Sequence, residues 1–178
     1  MARPYPHELE ESLTLPDGST LLIRPVLPED APVFVAGFAR LSREDIRMRF
    51  MHALKELTHA EAVRLTQIDY DQEMALVVFR QRPNQAQEGW GVARLVSEPN
   101  QERAEFAIIL LREATGIGLG SLLLRRLIDY ARDRGIRELY GEILRENEPM
   151  LELCRAMGFT LHPCLEDTGV IIATLTLT

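Results

Sequence analysis

The chain has 178 residues, enough for one domain, and its 46% hydrophobic and 26% charged residues are typical of a globular protein. Its formal net charge of −7 argues against a general nucleic-acid binder, because such proteins present a basic face to the phosphate backbone. The two cysteines, Cys154 and Cys164, are too few for a disulfide framework, and they form no metal-binding pattern with the four histidines. We therefore expect no metal.

No stretch of the sequence approaches the ~18 consecutive apolar residues that cross a bilayer. The first residues, Met-Ala-Arg-Pro-Tyr-Pro-His, lack the apolar core of a signal peptide. We therefore expect a cytoplasmic protein that does not associate with membranes. We also expect a single domain over residues 1–178, with residues 1–18 forming a partly ordered N-terminal arm.

The first part of the chain predicts a short strand followed by three helices. Acidic residues open the first helix, Ser42 is placed to cap the second, and Thr58 with Glu61 matches a capping box for the third. The predicted elements are a strand at residues 20–24 and helices that begin at Pro28–Asp30, after Ser42 and at Thr58, the last reaching about Gln67.

The middle of the chain changes to apolar runs separated by polar turns. Residues 83–89 and 98–101 are rich in the residue types that favour turns. The runs beside them, at residues 74–79, 90–96 and 104–111, have the length of strands. Because short turns join these runs, we expect an antiparallel meander.

A turn with Gly116, Gly118 and Gly120 follows the last of these strands and leads into an amphipathic helix. Apolar residues occupy one side of this helix and charged residues the other, and Gly135 is placed to end it. The next elements are a strand at Glu138–Leu144, a helix capped by Asn147, a strand after Gly158-Phe159 and a strand at residues 170–177. Strand, helix and strand form a βαβ unit with parallel pairing. The predicted fold class is therefore α/β, in the α+β sense of a mixed sheet.

The glycine-spaced turn at residues 115–120 suits a phosphate group. Glycine lets the backbone approach a ligand closely, and the N-terminus of the following helix presents N–H groups and partial positive charge. A Walker loop does not fit because no lysine follows, and the spacing Gly-x-Gly-x-Gly differs from the Gly-x-Gly-x-x-Gly of dinucleotide-binding folds. The turn alone leaves two alternatives open, a phosphate site and a glycine-rich turn without a ligand.

The glycine run Gly116-Ile-Gly-Leu-Gly-Ser, the pair Arg134-Gly135 and the segment from Asn147 to Phe159 together resemble the GNAT acetyltransferase superfamily. The resemblance covers nearly the whole chain from Leu21 onward. It implies the GNAT acyl-CoA N-acyltransferase fold, a mostly antiparallel sheet with a βαβ coenzyme-binding unit, and acetyl-CoA as co-substrate. Several segments are similar, more narrowly, to the acetyltransferase domain of Pat-type bacterial protein lysine acetyltransferases, namely residues 23–25, 48–57, 66–76, 141–142, 146–147 and 150–151.

The resemblance also implies which residues bind the coenzyme. Backbone groups of Ile108 and Leu110 would pair with the pantetheine arm, and Asn147 would reach the same arm, or serve as a plain helix cap, or both. The amides facing the pyrophosphate would be those of Gly116, Gly118, Leu119, Gly120 and Ser121. Thr115 departs from the family, which usually has Gln or Arg at that position, so we expect weaker contact with the phosphates there.

Acetyl transfer needs a neutral amine, yet a lysine with a pKa near 10.4 is neutral in only about one molecule in 2,500 at pH 7. A nearby carboxylate can remove the proton as a general base. Glu105 lies eleven residues before Gly116, the offset of the general-base glutamate in histone-type GNAT enzymes. The alternatives are that Glu105 is an exposed strand-edge residue, or that Glu73 or Glu142 is the base. Cys154 stands where many family members have a tyrosine that protonates the leaving thiolate, and we interpret it as a buried structural cysteine.

Three functions stay open at this point. The Pat-type resemblance implies acetylation of a protein lysine, with acyl-CoA synthetases as the typical partners. The second hypothesis is an N-acetyltransferase of a small amine such as a polyamine, which an acidic pocket closed by the N-terminal helices would favour. The third, suggested by Thr115 and the missing tyrosine, is a non-catalytic acyl-CoA-sensing module. The protein is expected to be a monomer or a homodimer.

Overall fold

The structure, a computed structural model, describes residues 4–50 and 57–177, and of Phe50 the backbone alone. Its helices are α1 (Ala31–Ala39), α2 (Arg43–Phe50), α3 (His59–Thr66), α4 (Leu119–Asp133) and α5 (Glu148–Ala156). Its strands are β1 (Glu11–Thr14), β2 (Thr20–Pro25), β3 (Glu73–Gln81), β4 (Glu88–Ser97), β5 (Arg103–Leu110), β6 (Glu138–Leu144), β7 (Thr160–Pro163) and β8 (Val170–Thr176). Residues 51–56, part of one segment that resembles Pat-type proteins, lie outside the described residues.

Within the described residues, eight strands form one sheet in the order β1-β2-β3-β4-β5-β6-β8-β7. Neighbouring strands are antiparallel except β5 and β6, which are parallel and are connected through α4. The predicted antiparallel meander, the βαβ unit and the mixed sheet are therefore confirmed. Strand β1 falls within residues 1–18 and is not predicted by the sequence pattern, because its side chains are mostly exposed at the sheet edge.

The two faces of the sheet carry different helices. One face contributes Leu95 and Phe106 to the main core, where α4 packs through Leu124 and its neighbours. The other face contributes Val77 to a second cluster, against which Phe34 of α1 packs. Because strand side chains alternate between faces, this second face also carries the odd-numbered residues of β5. The helices α1 to α3 therefore cover the side of the sheet on which Glu105 lies.

The predicted helix ends agree with the structure in most places. Thr58 and Glu61 form the expected capping box at α3, and Ser42 accepts the Asp45 N–H at 3.0 Å at the start of α2. Gly135 follows α4 with a φ of +78°, the left-handed conformation expected of a glycine that ends a helix. The first helix differs, because Pro28–Asp30 forms a 3-10 turn and α1 begins at Ala31.

Ion pairs fix α1 at both ends. Asp30, which is almost completely buried, binds the Arg24 guanidinium through two hydrogen bonds of 2.7 and 2.8 Å. Arg40, just after the helix, contacts Glu88 on β4 and donates to Glu113 at 2.6 Å. Since Glu113 immediately precedes the glycine-spaced turn, α1 is tied to both β2 and the approach to that turn. Ion pairs at both ends of a helix fix its position, even where the exposed ion pairs add little to the free energy of folding.

Candidate active site

A cleft opens where β5 and β6 stop pairing. The two strands pair at only three positions, the last being Glu105 with Tyr140, although both strands continue further. Past this point Phe106, Ile108, Glu142 and other residues line a cleft between the strands. Residues 106–110 bond to β4 on one side only, so their other edge is available to an extended ligand that carries amide groups. Ile108 and Leu110, the residues predicted to meet the pantetheine, both lie on this edge.

The side chain of Phe106 packs over β6 at the point where the strands separate. A Cβ atom added at Gly141, on β6, would lie 2.6 Å from the Phe106 ring. The ring therefore packs directly over the backbone of β6, and it also contacts Phe159 edge to face at 5.3 Å between centroids. The last pair of the β5–β6 ladder is Glu105 with Tyr140, immediately before Phe106 and Gly141. The cleft thus begins one residue beyond Glu105.

The glycine-spaced turn presents bare backbone to solvent. Gly116 and Gly118 have φ values of +80° and +82°, and a Cβ at either residue would meet no atom within 4 Å. Gly118 is the N-cap of the fifteen-residue helix α4, and no side chain caps that helix. The first turn of α4 has free backbone N–H groups at Leu119, Gly120 and Ser121. An anion at the helix N-terminus would accept hydrogen bonds from these groups. The geometry fits a pyrophosphate.

Asn147 serves as a helix cap and also borders the cleft. Its side-chain oxygen accepts the Met150 N–H at 3.4 Å, at the start of α5. Asn147 and Met150 both line the cleft between β5 and β6. The side-chain NH₂ group takes no part in the cap, so it can donate to a ligand. The two alternative roles predicted for Asn147 are compatible with each other.

Glu105 is half-buried at the mouth of the cleft. Burial raises the pKa of its carboxyl above the usual value, and the negative charges of Glu142 and Glu98 raise it further. The positive charge of Arg49, on α2, acts in the opposite direction. A raised pKa makes a carboxylate a stronger base, as general-base catalysis requires.

The two rival carboxylates have different surroundings. Glu73 lies at the start of β3 and pairs with the Arg94 guanidinium at 3.2 Å. This ion pair holds the Glu73 carboxylate against Arg94 and away from the cleft lining. Glu142 is exposed and lines the same cleft as Ile108. The structure therefore brings Glu105 and Glu142 together and holds Glu73 in a separate ion pair.

Comparison with known proteins agrees with this geometry. The model of the Acetyltransferase (GNAT) domain matches residues 20–160. The chain belongs to the GNAT acetyltransferase family. The predicted resemblance and the predicted enzyme class are thereby confirmed.

Individual GNAT relatives cover most of the chain. Acetyltransferase PA5475 of Pseudomonas aeruginosa is 33% identical over 164 residues, which are 92% of this chain and 88% of that protein. Acetyltransferase Pat of Mycolicibacterium smegmatis is 28% identical over 156 residues, 87% of this chain. Those residues make up 45% of Pat, so this chain corresponds to less than half of that protein.

Solved GNAT structures have the same fold. The GNAT domain of S. lividans PAT superposes with a TM-score of 0.84 at 27% identity, covering 98% of this chain and 100% of that chain. Spermidine N-acetyltransferase from Vibrio cholerae, in complex with CoA and spermine, gives a TM-score of 0.70 at 20% identity. It covers 88% of this chain and 95% of that chain, and its likeness concerns the fold alone.

Thr115 makes a hydrogen bond within the chain at the start of the glycine-spaced turn. Its hydroxyl donates to the Arg112 carbonyl at 2.6 Å. The remaining lone pairs of the hydroxyl can only accept hydrogen bonds, so they do not favour a phosphate. The family's Gln or Arg contact is thus replaced by a bond that orders the backbone.

Replacing Thr115 tests that role. We expect Thr115→Val to raise the KM for acetyl-CoA by about three- to tenfold, because the turn must then be ordered without a hydrogen bond worth roughly 1 kcal/mol. Thr115→Ser keeps the hydroxyl and should leave this KM within about twofold. Steady-state kinetics at saturating acceptor measure both values. Equal effects of Val and Ser would contradict the hydroxyl's role.

Cys154 packs as a small apolar side chain. It is completely buried on α5, and burial raises the pKa of its thiol to about 12. A thiol enclosed by the core does not reach a departing thiolate in the cleft. This position therefore agrees with the interpretation of Cys154 as structural.

The sequence did not indicate two arginines that the structure places near Glu105. Arg49 lines the cleft beside Glu142, and Arg94 is 6% exposed on β4. Burial, followed by the like charge of Arg94, lowers the pKa of Arg49 to about 10. Arginines on a helix or a strand usually face water, and no motif marks these two. The only signal for Arg49 was that residues 48–57 resemble Pat-type proteins, and Arg94 had none.

Residues 4–50 and 57–177 contain neither a metal-binding cluster nor a membrane-spanning helix. No group of three or more His, Cys, Asp and Glu side chains is placed to hold a metal ion. No helix in this part of the chain is long and apolar enough to cross a membrane.

Proposed function

We propose that the protein transfers the acetyl group of acetyl-CoA to a primary amine, the side chain of a protein lysine, with Glu105 as general base. The observation that carries this proposal is the position of Glu105. It is half-buried, its pKa is raised, and it lies where β5 parts from β6. A carboxylate there is within reach of both the open edge of β5 and a molecule lying under α2.

The chain offers the coenzyme a continuous set of backbone donors. The pantetheine arm would lie along residues 106–110, with Ile108 and Leu110 as partners and Asn147 opposite them. The pyrophosphate would accept hydrogen bonds from the amides between Gly116 and Ser121. Bound in this way, acetyl-CoA supplies a thioester carbonyl near the point where the strands part.

Residues of the chain accept the proton of the acceptor amine and stabilise the charge that develops on the thioester carbonyl. Glu105 accepts one proton from the ammonium form of the acceptor, which otherwise costs about 4.6 kcal/mol to deprotonate at pH 7. As the nitrogen–carbon bond forms, the carbon–sulfur bond breaks, and the second amine proton goes to the departing thiolate. The Ile108 N–H is placed to stabilise negative charge on the carbonyl oxygen. Glu105 finally releases its proton to solvent, so the products are an amide, free CoA and one proton.

The protein-lysine acceptor is supported by the extended similarity to Pat-type proteins and by the 0.84 TM-score of the S. lividans PAT domain. A lysine of an acyl-CoA synthetase is the first acceptor to test. A small amine is the second candidate, because α1 to α3 line a pocket next to this site. The charged residues described in its lining are arginines, not the acidic residues that would favour a polyamine.

Release of free thiol from acetyl-CoA, followed with a panel of acceptors, tests the proposed function. We expect release with an acyl-CoA synthetase and an acetylated lysine in its mass spectrum. The same synthetase with its lysines dimethylated is the matched control, since a tertiary amine cannot form the amide. If acetyl-CoA binds but no protein or amine causes release, the proposed transfer is wrong and the sensing-module hypothesis is supported.

A further inference from the structure

A pocket lies between α1 and the face of the sheet that carries Glu105. Its cavity has a volume of about 90 Å³ and is partly open to solvent. Phe34 and Phe38 of α1 form one wall, and Val77 and Ile109 of the sheet form the other. The pocket is therefore apolar on both sides.

The charged residues that line this pocket, among those the structure describes, are both arginines. Arg94 is anchored, because it donates to the Leu65 carbonyl at 2.7 Å and pairs with Glu73 at 3.2 Å. Arg49 lines this pocket and also the cleft between β5 and β6. Arg49 thus stands at the junction of the apolar pocket and the place where acetyl transfer is proposed.

This lining is a poor match for a polyamine. A second or third ammonium group would have to leave water for an apolar space beside two guanidinium groups, which is costly. A carboxylate near Arg49 has the opposite effect, because it separates two like charges and forms a charge-assisted hydrogen bond. An apolar body, in turn, gains by burial against Phe34 and Phe38.

We infer that the pocket binds the body of the acceptor, and that the preferred acceptor is a primary amine with an apolar body and a carboxylate held by Arg49. In a protein acceptor, the preferred substrate would be a lysine whose neighbouring residues are apolar and acidic. The inference rests on the proposed amine acetylation and names its substrate class. It selects against polycationic amines.

Gly37 provides a way to fill the pocket without disturbing the fold. It lines the pocket from α1, and a Cβ built there meets no atom within 4 Å. Leucine is also a better helix former than glycine by roughly 0.8 kcal/mol. Ala36, the neighbouring residue, is exposed and does not line the pocket, so Ala36→Leu adds the same bulk on the solvent side.

Matched acceptors test the substrate class. Nα-benzoyl-lysine carries an aromatic body, a carboxylate and a free ε-amine, Nα-benzoyl-lysine amide lacks the carboxylate, and spermidine is a polyamine. We expect kcat/KM for benzoyl-lysine to exceed that of its amide and of spermidine by about tenfold or more, a difference of roughly 1.4 kcal/mol. Equal or better use of spermidine overturns the inference but leaves the proposed function standing. Failure of every amine and protein to release thiol overturns both.

Two variants, Gly37→Leu and Arg49→Gln, and one control, Ala36→Leu, assign the preference to the pocket. Gly37→Leu should raise the KM for benzoyl-lysine about tenfold and leave the KM for acetyl-CoA unchanged, whereas Ala36→Leu should change neither. Arg49→Gln should abolish the preference for the carboxylate over the amide, a ratio that a general effect on Glu105 would not move. If Gly37→Leu instead removes activity with hexanoyl-CoA while the KM for the amine is unchanged, the pocket holds an acyl chain and the inference is wrong.

Discussion

Glu105→Gln lowers kcat by about 10²-fold or more, while the KM for acetyl-CoA stays within about twofold. Glutamine keeps the size of the side chain and removes its ability to accept a proton, and general-base catalysis typically contributes a factor of this magnitude. Coenzyme binding depends on the edge of β5 and on the glycine-spaced turn, which the substitution leaves in place. Steady-state kinetics with a fixed acceptor measure both constants.

The pH dependence of kcat provides a second test of Glu105 as the general base. The base must be ionised to work, so kcat falls as the pH drops through the pKa of Glu105. Because burial and Glu142 raise that pKa, the acid limb lies at higher pH than an unperturbed glutamate would give. Glu105→Gln should lose this limb altogether.

Glu142→Gln is the matched control, since it makes the same change in the same cleft. We expect kcat near neutral pH to stay within about threefold. The acid limb should move to lower pH, because one of the charges that raises the pKa of Glu105 is removed. A large loss in Glu142→Gln together with a small loss in Glu105→Gln would show that Glu142 is the base.

Gly118→Ala raises the KM for acetyl-CoA by about 30-fold. Gly118 has a φ of +82°, where an L-residue with a side chain is strained by roughly 1–2 kcal/mol. The new methyl group would also stand on bare backbone that a phosphate must approach closely. A combined loss of about 2 kcal/mol corresponds to the expected change in KM.

Gly135→Ala separates backbone strain from loss of the phosphate site. Gly135 has a φ of +78° and open space around it, but it lies at the opposite end of α4. Both variants should lose roughly the same free energy of unfolding in urea, about 1–2 kcal/mol. The KM for acetyl-CoA should rise in Gly118→Ala alone. A similar KM in both variants would mean that the turn does not contact the coenzyme.

Most of the fold follows from local sequence signals. The capping box at Thr58, the terminating Gly135 and the apolar runs of the meander each act within a few residues, so the pattern is enough to place them. Strand β1 is different, because its exposed residues depend on pairing with β2 rather than on burial. The start of α1 also depends on a contact distant in sequence, because Asp30, just before the helix, binds Arg24 on the strand β2.

The sequence predicted the part of the candidate site that is formed by backbone groups, and not the part that is formed by side chains from distant elements. Glycine at positive φ and an amphipathic helix leave marks in the sequence, and these predicted the phosphate turn. The pocket under α1 leaves none, since it is assembled from three helices and three strands. Arg49 and Arg94 become neighbours through folding alone, and the hydroxyl of Thr115 is used by a carbonyl three residues back.

The short contact between β5 and β6 has a consequence for the integrity of the molecule. Three residue pairs join the meander to the last strands of the sheet, and beyond them the facing edges of β5 and β6 are unpaired. A coenzyme lying between these edges would act as a ninth strand and hold the two parts together. Since a ligand that binds only the folded state stabilises it by mass action, the supply of coenzyme would govern how long the protein persists as well as how fast it works.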